Sequence, residues 1–411
     1  MVGTGVFTSL GYQLVEIQSI FSLLMLWLIG GLIALCGALS YSELSSSLPR
    51  SGGEYHLLSR ILHPSIGFSA GIVSSTVGFT APAVLASIAL GSYLNAVFPF
   101  FDKNLVAFIV LLFFHIIHIK SIRLGTFFQD SSTALKIGLI LIFIFCGLLT
   151  DDTQSISIIP KIGDGTIILS SSFAVSLVWV SYAYTGWNSV IYIAGEVIEP
   201  KLNIPRTMIF STVFVMSLYL LLNYVFLYTT SIDSMIGKVD IGYISGLVIF
   251  GEVGAKIISL GISILLLSTI SSYVYIGPRI IQIMGEDYNS LSFLKFKDEN
   301  NIPIAAFGLQ FCISMLFLLT SSFEQVLMYA GITLIIITIL AVFSLFILRY
   351  REPFLDRPYK VWGFPITPLL YLVVNVWILY YSFQEAHIES IIGIGLIIGG
   401  VLIYFIIQKK Q

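Results

Sequence analysis

Charge is scarce in this sequence. Asp, Glu, Lys and Arg make up 10% of its 411 residues, where an ordinary soluble domain carries about a quarter. Cysteine is scarcer: Cys36, Cys146 and Cys312 each sit inside an apolar run, which excludes a disulfide framework or a zinc spacing and reads as buried free thiols. No basic n-region precedes a short apolar stretch, so no cleavable signal is visible. Polar stretches long enough for a soluble domain or linker are missing. Searches for HExxH, or for GxSxG with a plausible base, find nothing, and the apolar runs hold no acid pair or metal set. A membrane enzyme is therefore disfavoured, and cofactor and metal are both read as none. No repeated filter sequence or ring of pore-lining charge points to a channel.

What the chain has in excess is apolar length. Hydrophobic residues make up 57% of it and the mean hydropathy is +0.97. Runs near the length of a membrane crossing recur at 18–41, 65–97, 104–119, 126–149, 168–197, 204–229, 244–283, 304–320, 325–348, 366–382 and 388–407. The run at 244–283 exceeds one crossing and reads as a membrane helix with an amphipathic extension. The expected fold class is an all-α polytopic membrane protein, embedded in lipid and without nucleic-acid partners.

Alternate loops differ in sign. One set carries Arg50, Arg60, Lys120, Arg123, Lys201, Arg206, Arg279, Lys295, Lys297, Arg349, Arg351, Arg357, Lys360, Lys409 and Lys410. The other holds Lys103, Lys161 and Lys238 among many acids, including Asp102, Asp151, Asp152, Asp164, Asp233, Asp240, Glu324, Glu385 and Glu389. The positive-inside rule places the first set, and the C-terminus, in the cytoplasm of a cell-membrane protein (the inner membrane in a bacterium). Residues 1–14 are too short to cross. They read as the outer half of a helix whose inner half precedes Met1, the mark of a misassigned start or a fragment.

Two interruptions carry the functional signal. Gly3-Thr4-Gly5-Val6-Phe7 lets the backbone unwind ahead of a helix start, whose free N–H groups suit a carboxylate. Small residues in membrane helices also mark close packing, and GTG alone fits that equally. Tyr182-Ala183-Tyr184-Thr185-Gly186-Trp187-Asn188 breaks a second apolar run, followed by EVIEPKLNIPR at 196–206. Such a break at membrane depth persists only where protein, water or ligand satisfies the freed groups. Aromatic packing is the plain alternative for Tyr182 and Trp187. Lys136 lies deep in the fifth span, where a charge costs at least ~2.5–3.5 kcal/mol and needs a partner or a task. It reads as a proton-coupling group or a fixed structural cation, with Ser268 and Thr269 as possible neighbours.

Glu43, Arg50 and Glu54 on one basic-side loop, and Glu196, Glu199 and Arg206 on another, suggest a gate of ion pairs, against the plainer reading of solvated charges. His115 and His118 share a helical face but lack a third ligand, so packing is expected. Gly163-Asp164-Gly165 reads as an outer turn.

GTGVF, YAYTGWN and EVIEPKLNIPR, together with YSELSSSLPRSGGEYHLL at 41–58, FFQDSSTALKIG at 127–138 and RPYKVWGFPITPLLY at 357–371, resemble the amino acid–polyamine–organocation superfamily. The nearest resemblance is to the L-type amino acid transporter branch and its bacterial relatives, over nearly the whole chain. It implies a LeuT-type inverted repeat of five plus five helices with two added. That makes about 12 membrane helices, the first truncated, in a single domain over 1–411 divided as 1–149, 166–348 and 365–408. It further implies that amides of Gly3, Thr4 and Gly5 hold a substrate carboxylate. Carbonyls near Tyr182, Ala183 and Thr185, at the Gly186 break, would receive its ammonium, with Tyr182 and Trp187 gating. Lys136 would stand where sodium-driven members hold sodium, bridging helices 1 and 8.

The expected function is secondary transport of an amino acid, by proton symport or exchange. No acid lies at a span centre, which favours a neutral substrate, although Glu16 and Glu252 near the outer face leave room for a cationic amino acid or polyamine antiporter. The loop from Pro99 to Lys103 lacks the cysteine that links animal L-type transporters to a glycoprotein, so no disulfide-linked accessory subunit is expected.

Overall fold

The structure, a computed structural model, describes residues 2–120, 123–151, 153–298 and 302–408, without the side chains of 120, 123–131, 193 and 196. Met1, Asp152, Lys409 and Lys410 lie outside the described residues, as do the side chains of Lys120, Arg123 and Glu196. Lipid offers the backbone no hydrogen bonds, so an apolar run must satisfy itself internally, and helix is the local way to do so. The chain forms α1 (Gly5–Glu16), α2 (Ile20–Ser47), α3 (Gly53–Ile61), α4 (Pro64–Val73), α5 (Thr80–Val97), α6 (Lys103–Lys120), α7 (Arg123–Leu148) and α8 (Asp164–Ile168). There follow α9 (Ser171–Tyr184), α10 (Pro200–Thr229), α11 (Ile232–Met235), α12 (Ile241–Asp287), α13 (Ile304–Thr320), α14 (Phe323–Arg351), α15 (Ile366–Glu385) and α16 (His387–Gln408). Among the described residues there is no strand.

Among the described residues seven helices are long and apolar enough to cross a membrane: α2, the α4–α5 stretch Pro64–Val97, α10, α12, α14, α15 and α16. Lys103–Ile119, Ser132–Leu148 and Ile304–Thr320 are shorter apolar helices. At 1.5 Å per residue, α1 and α9 reach only about 18 and 21 Å, short of a hydrocarbon core of about 30 Å. The long run at 244–283 resolves at Gly251 (φ 68°), which separates a short N-terminal piece from the main length of α12. Only glycine adopts that conformation without penalty.

Packing is helix on helix, with α12 along α5, α10 along α2 and α16 along α4. Gln13 Oε1 accepts from Trp27 Nε1 at 3.0 Å, tying α1 to α2. The Trp27 ring sits edge-on to Tyr219, with centroids 5.8 Å apart. On the acidic face, Asp164 accepts from Ser19 Oγ (2.5 Å), Ser22 Oγ (3.2 Å) and Lys161 N (2.6 Å), pinning the loop before α9 to the start of α2.

On the basic face, Glu43 is fully buried. Arg349 donates to it through Nε (2.8 Å) and Nη2 (2.5 Å), Val361 N donates at 2.7 Å, and Arg357 Nε lies 3.4 Å away. Arg349 also stands over the Phe364 ring. The cluster joins α2, the end of α14 and the segment before α15. Removing one partner from such a buried set strands the others, at roughly 3–5 kcal/mol. Glu43→Ala should therefore lower the thermal midpoint of the purified protein in detergent by about 5 °C or more; an unchanged midpoint would show the cluster to be dispensable.

Candidate functional site

The two interruptions meet. A Cβ on Gly5 would lie 2.5 Å from Ala183 Cα, so the N-terminus of α1 abuts the C-terminal turn of α9 at van der Waals distance. The first turn of a helix and the last leave N–H and C=O groups, respectively, without intrahelical partners. At α9 the chain turns away through Thr185, whose N–H and Oγ1 both bond to Tyr182 O (3.0 and 2.7 Å), and through Gly186 at φ 97°. Residues 189–196 continue as 3-10 turns rather than α-helix. At α1, Thr8 Oγ1 bonds to Thr4 O, the Gly3 amide reaches the Tyr219 hydroxyl, and Tyr93 on α5 donates to Phe7 O at 3.0 Å. Tyr182 is buried against Thr4.

Lys136 is buried and donates to Thr269 Oγ1 on α12 at 2.8 Å. It lines a small void together with Gly3 and Phe7, which places it across from the start of α1. Trp187 packs edge-on against Tyr41 at 4.7 Å. With Tyr182 and Thr185 it lines a cavity of about 50 Å³ that extends toward Thr338, Tyr371 and Asn375. Gly3, Thr4, Gly5, Tyr182, Ala183 and Thr185 thus gather at one locus, with Gly186 turning the chain there, Lys136 on its α12 side and Trp187 on the other.

Toward the acidic face lies a vestibule of about 860 Å³, lined among others by Tyr12, Trp179, Glu16, Glu324, Glu385 and Glu389, and by no Lys or Arg among the described residues. It reaches Trp179, one turn before Tyr182, where Tyr12 stacks on Trp179 at 4.6 Å. Toward the basic face the site is sealed. Glu54 Oε1 accepts from Asn188 Nδ2 (2.6 Å) and Tyr41 OH (3.2 Å), and its Oε2 from Tyr192 OH. Gly195 N donates to Ser51 Oγ at 3.0 Å, and the Tyr192 ring packs where a Cβ on Gly53 would otherwise lie.

Of the acids expected to form ion pairs at the gate, Glu43 belongs to the Arg349 cluster and Glu54 is held by neutral donors, while the side chain of Glu196 lies outside the described residues. Composition could not reveal these partners, because tyrosine and asparagine give no charge signal. The histidines are packed: His115 Nδ1 lies 2.8 Å from Leu111 O and His118 Nε2 2.9 Å from Ser271 Oγ. Among the described residues no cluster of three could hold a metal. Gly67-Phe68-Ser69-Ala70-Gly71 spells GxSxG, but Ser69 Oγ donates to Ile397 O and serves packing against α16.

Two half-length helices lying antiparallel inside a helical bundle, the start of α1 against the end of α9, with a vestibule on one face and a seal on the other, make this a secondary membrane transporter. The chain belongs to the amino acid permease family, whose model matches residues 1–407. It is 25% identical to the serine/threonine exchanger SteT of Bacillus subtilis (strain 168), covering 100% of this chain and 94% of that one. It is also 25% identical to the human large neutral amino acids transporter small subunit 2, over 99% of this chain and 77% of that one. With the human b(0,+)-type amino acid transporter 1 the identity is 22%, over 99% and 84%.

The contact at Gly5 yields a test. Gly5→Val should drive α1 away from Ala183 and weaken binding of labelled amino acid at least tenfold, while the protein still folds. Wild-type affinity in the variant would mean that the junction of the two helices is not the binding locus.

Proposed function

We propose that this amino acid transporter carries a neutral substrate by alternating access, driven by proton symport or by exchange. The observation that carries the reading is the contact between the first turn of α1 and the last turn of α9. Amides at Gly3, Thr4 and Gly5 would receive the carboxylate, since a helix N-terminus favours an anion. Carbonyls at the Tyr182–Thr185 turn would receive the ammonium, and Tyr182 and Trp187 would close over the ligand. The ligand's backbone groups are thus met by the protein's backbone, and the walls around Tyr182 and Trp187 offer no charge to a side chain. The names of the neutral-amino-acid and serine/threonine relatives support this choice.

A second reading rests on one observation. Four carboxylates line the vestibule without a cation, and clefts of one sign concentrate counter-charged ligands. That favours a cationic amino acid or amine, in line with the name of the b(0,+)-type relative.

The basic face lies in the cytoplasm under the positive-inside rule, so the vestibule opens outside the cell membrane, and the helices divide into repeats at 1–149 and 166–348 with 365–408 added. The chain acts without a disulfide-linked subunit. Lys136 takes part in proton coupling, because its ammonium bridges α7 to Thr269 beside the start of α1; losing the proton loosens that bridge. In liposomes, purified protein should accumulate labelled neutral amino acid under an inward pH gradient. Lys136→Ala should abolish gradient-driven accumulation in a folded protein. Undiminished accumulation would make Lys136 a structural charge, and the absence of uptake and counterflow by wild type would sink the transporter mechanism as drawn here.

A further inference from the structure

Among the described residues Glu54 is the one buried carboxylate at the seal, 2% exposed and outside the helices long and apolar enough to cross a membrane. Its neighbours can be enumerated by element. From α2 comes Tyr41, backed by Tyr371 of α15; from the segment after the break come Asn188 and Tyr192, with Ser74 behind Tyr192. On its own helix, Tyr55 is turned to Asp287, Arg60 to Glu352, and His56 lies among Arg50, Arg60 and Asp287. Among the described residues no cation pairs with Glu54. A carboxylate buried among neutral donors holds its charge only through hydrogen bonds, and protonation is the alternative.

We propose that Glu54 is a proton-binding site that holds the basic-face gate shut, so that proton uptake favours the closed gate and opening releases the proton into the cytoplasm. The argument rests on the transport reading only for the direction of opening. Two of the three contacts, from Asn188 and Tyr192, cross from the segment at 187–196 to Glu54 on α3, and the third, from Tyr41, joins α3 to α2, so parting the segment from α3 exposes the carboxyl to water. Burial pushes the Glu54 carboxyl above the ordinary range in the closed state, offset in part by the hydrogen bonds from Tyr192, Asn188 and Tyr41. In water it returns to about 4.3. Between those two values the closed gate binds more protons than the open one, and falling pH favours closure by up to tenfold per unit. Below about pH 4.3 both states are protonated and the effect saturates. The closed site also accommodates the neutral form. Tyr192 OH lies 3.1 Å from Ser74 Oγ, so its proton can turn there when the carboxyl carries its own.

The test reads gate position without substrate. Spin labels at Pro49→Cys and Ile198→Cys, in the full chain with Cys36, Cys146 and Cys312 changed to Ala, report the separation of the α2–α3 loop from the segment after the break. In lipid nanodiscs, lowering pH from 7.5 to 5 should enlarge the short-distance population. Glu54→Gln should hold that population constant, and Tyr192→Phe, which removes a donor to the carboxylate, should move the midpoint to higher pH. A pH response that survives Glu54→Gln, or a parent protein without one, overturns the proposal; should Glu54→Gln not fold, an unmoved midpoint in Tyr192→Phe overturns it. Uptake into liposomes is scored separately, so a gate that responds to pH in a protein that carries nothing would refute transport and leave Glu54 in its role.

Discussion

Everything in this molecule hangs on backbone hydrogen bonding in a medium that offers none. Continuous helices meet that constraint alone, which is why most of the chain is long helix. Two helices do not meet it. α1 begins and α9 ends inside the bundle, and each can do so only because the other is there. The absence of a side chain at Gly5 lets the two ends close to contact, and the positive φ of Gly186 turns the chain away from the line of α9. A polar locus is thereby built from main chain, and Lys136, Tyr182 and Trp187 are placed around it by helices that have no other reason to converge.

Much of this was legible in the amino-acid order. Apolar run length gave the crossings, because lipid thickness sets a length that composition must honour. The Gly3–Gly5 and Thr185–Gly186 interruptions stood out, since small flexible residues are conspicuous in an apolar run. The family resemblance supplied the pairing of those interruptions, which periodicity alone could not. What stayed hidden was long-range, an ion pair in one case and neutral donors in the other. Nothing near Glu43 announces Arg349, and nothing near Glu54 announces Tyr41 or Tyr192. Opposite charges in neighbouring loops are easy to pair on paper, whereas a carboxylate surrounded by hydroxyl and amide donors leaves no pattern. Gly251 was missed because a single glycine inside a long apolar run looks like helix.

The molecule is asymmetric across the bilayer. A broad acidic vestibule leads from one face to within a turn of Tyr182, while the other face is closed by Glu54, Ser51 and the ring of Tyr192 over Gly53. The vestibule admits solvent from that face as far as the ring of Tyr12, which stacks on Trp179 and Phe323. The hardware on the two faces differs in kind. Exposed carboxylates flank the open side, and the closed side is knit by short bonds to buried groups, so opening it means breaking specific contacts rather than merely moving a loop.

The Glu43–Arg349 contact spans 306 positions of chain, and that separation has a consequence for biosynthesis. At ribosomal rates, roughly 15–60 s elapse between the emergence of the acid and of its arginine. Through that interval the carboxylate has no mate, and hydrocarbon would not tolerate it. The end of α2 must therefore wait among lipid headgroups, wetted, until α14 has been threaded. An early part of the protein is finished late.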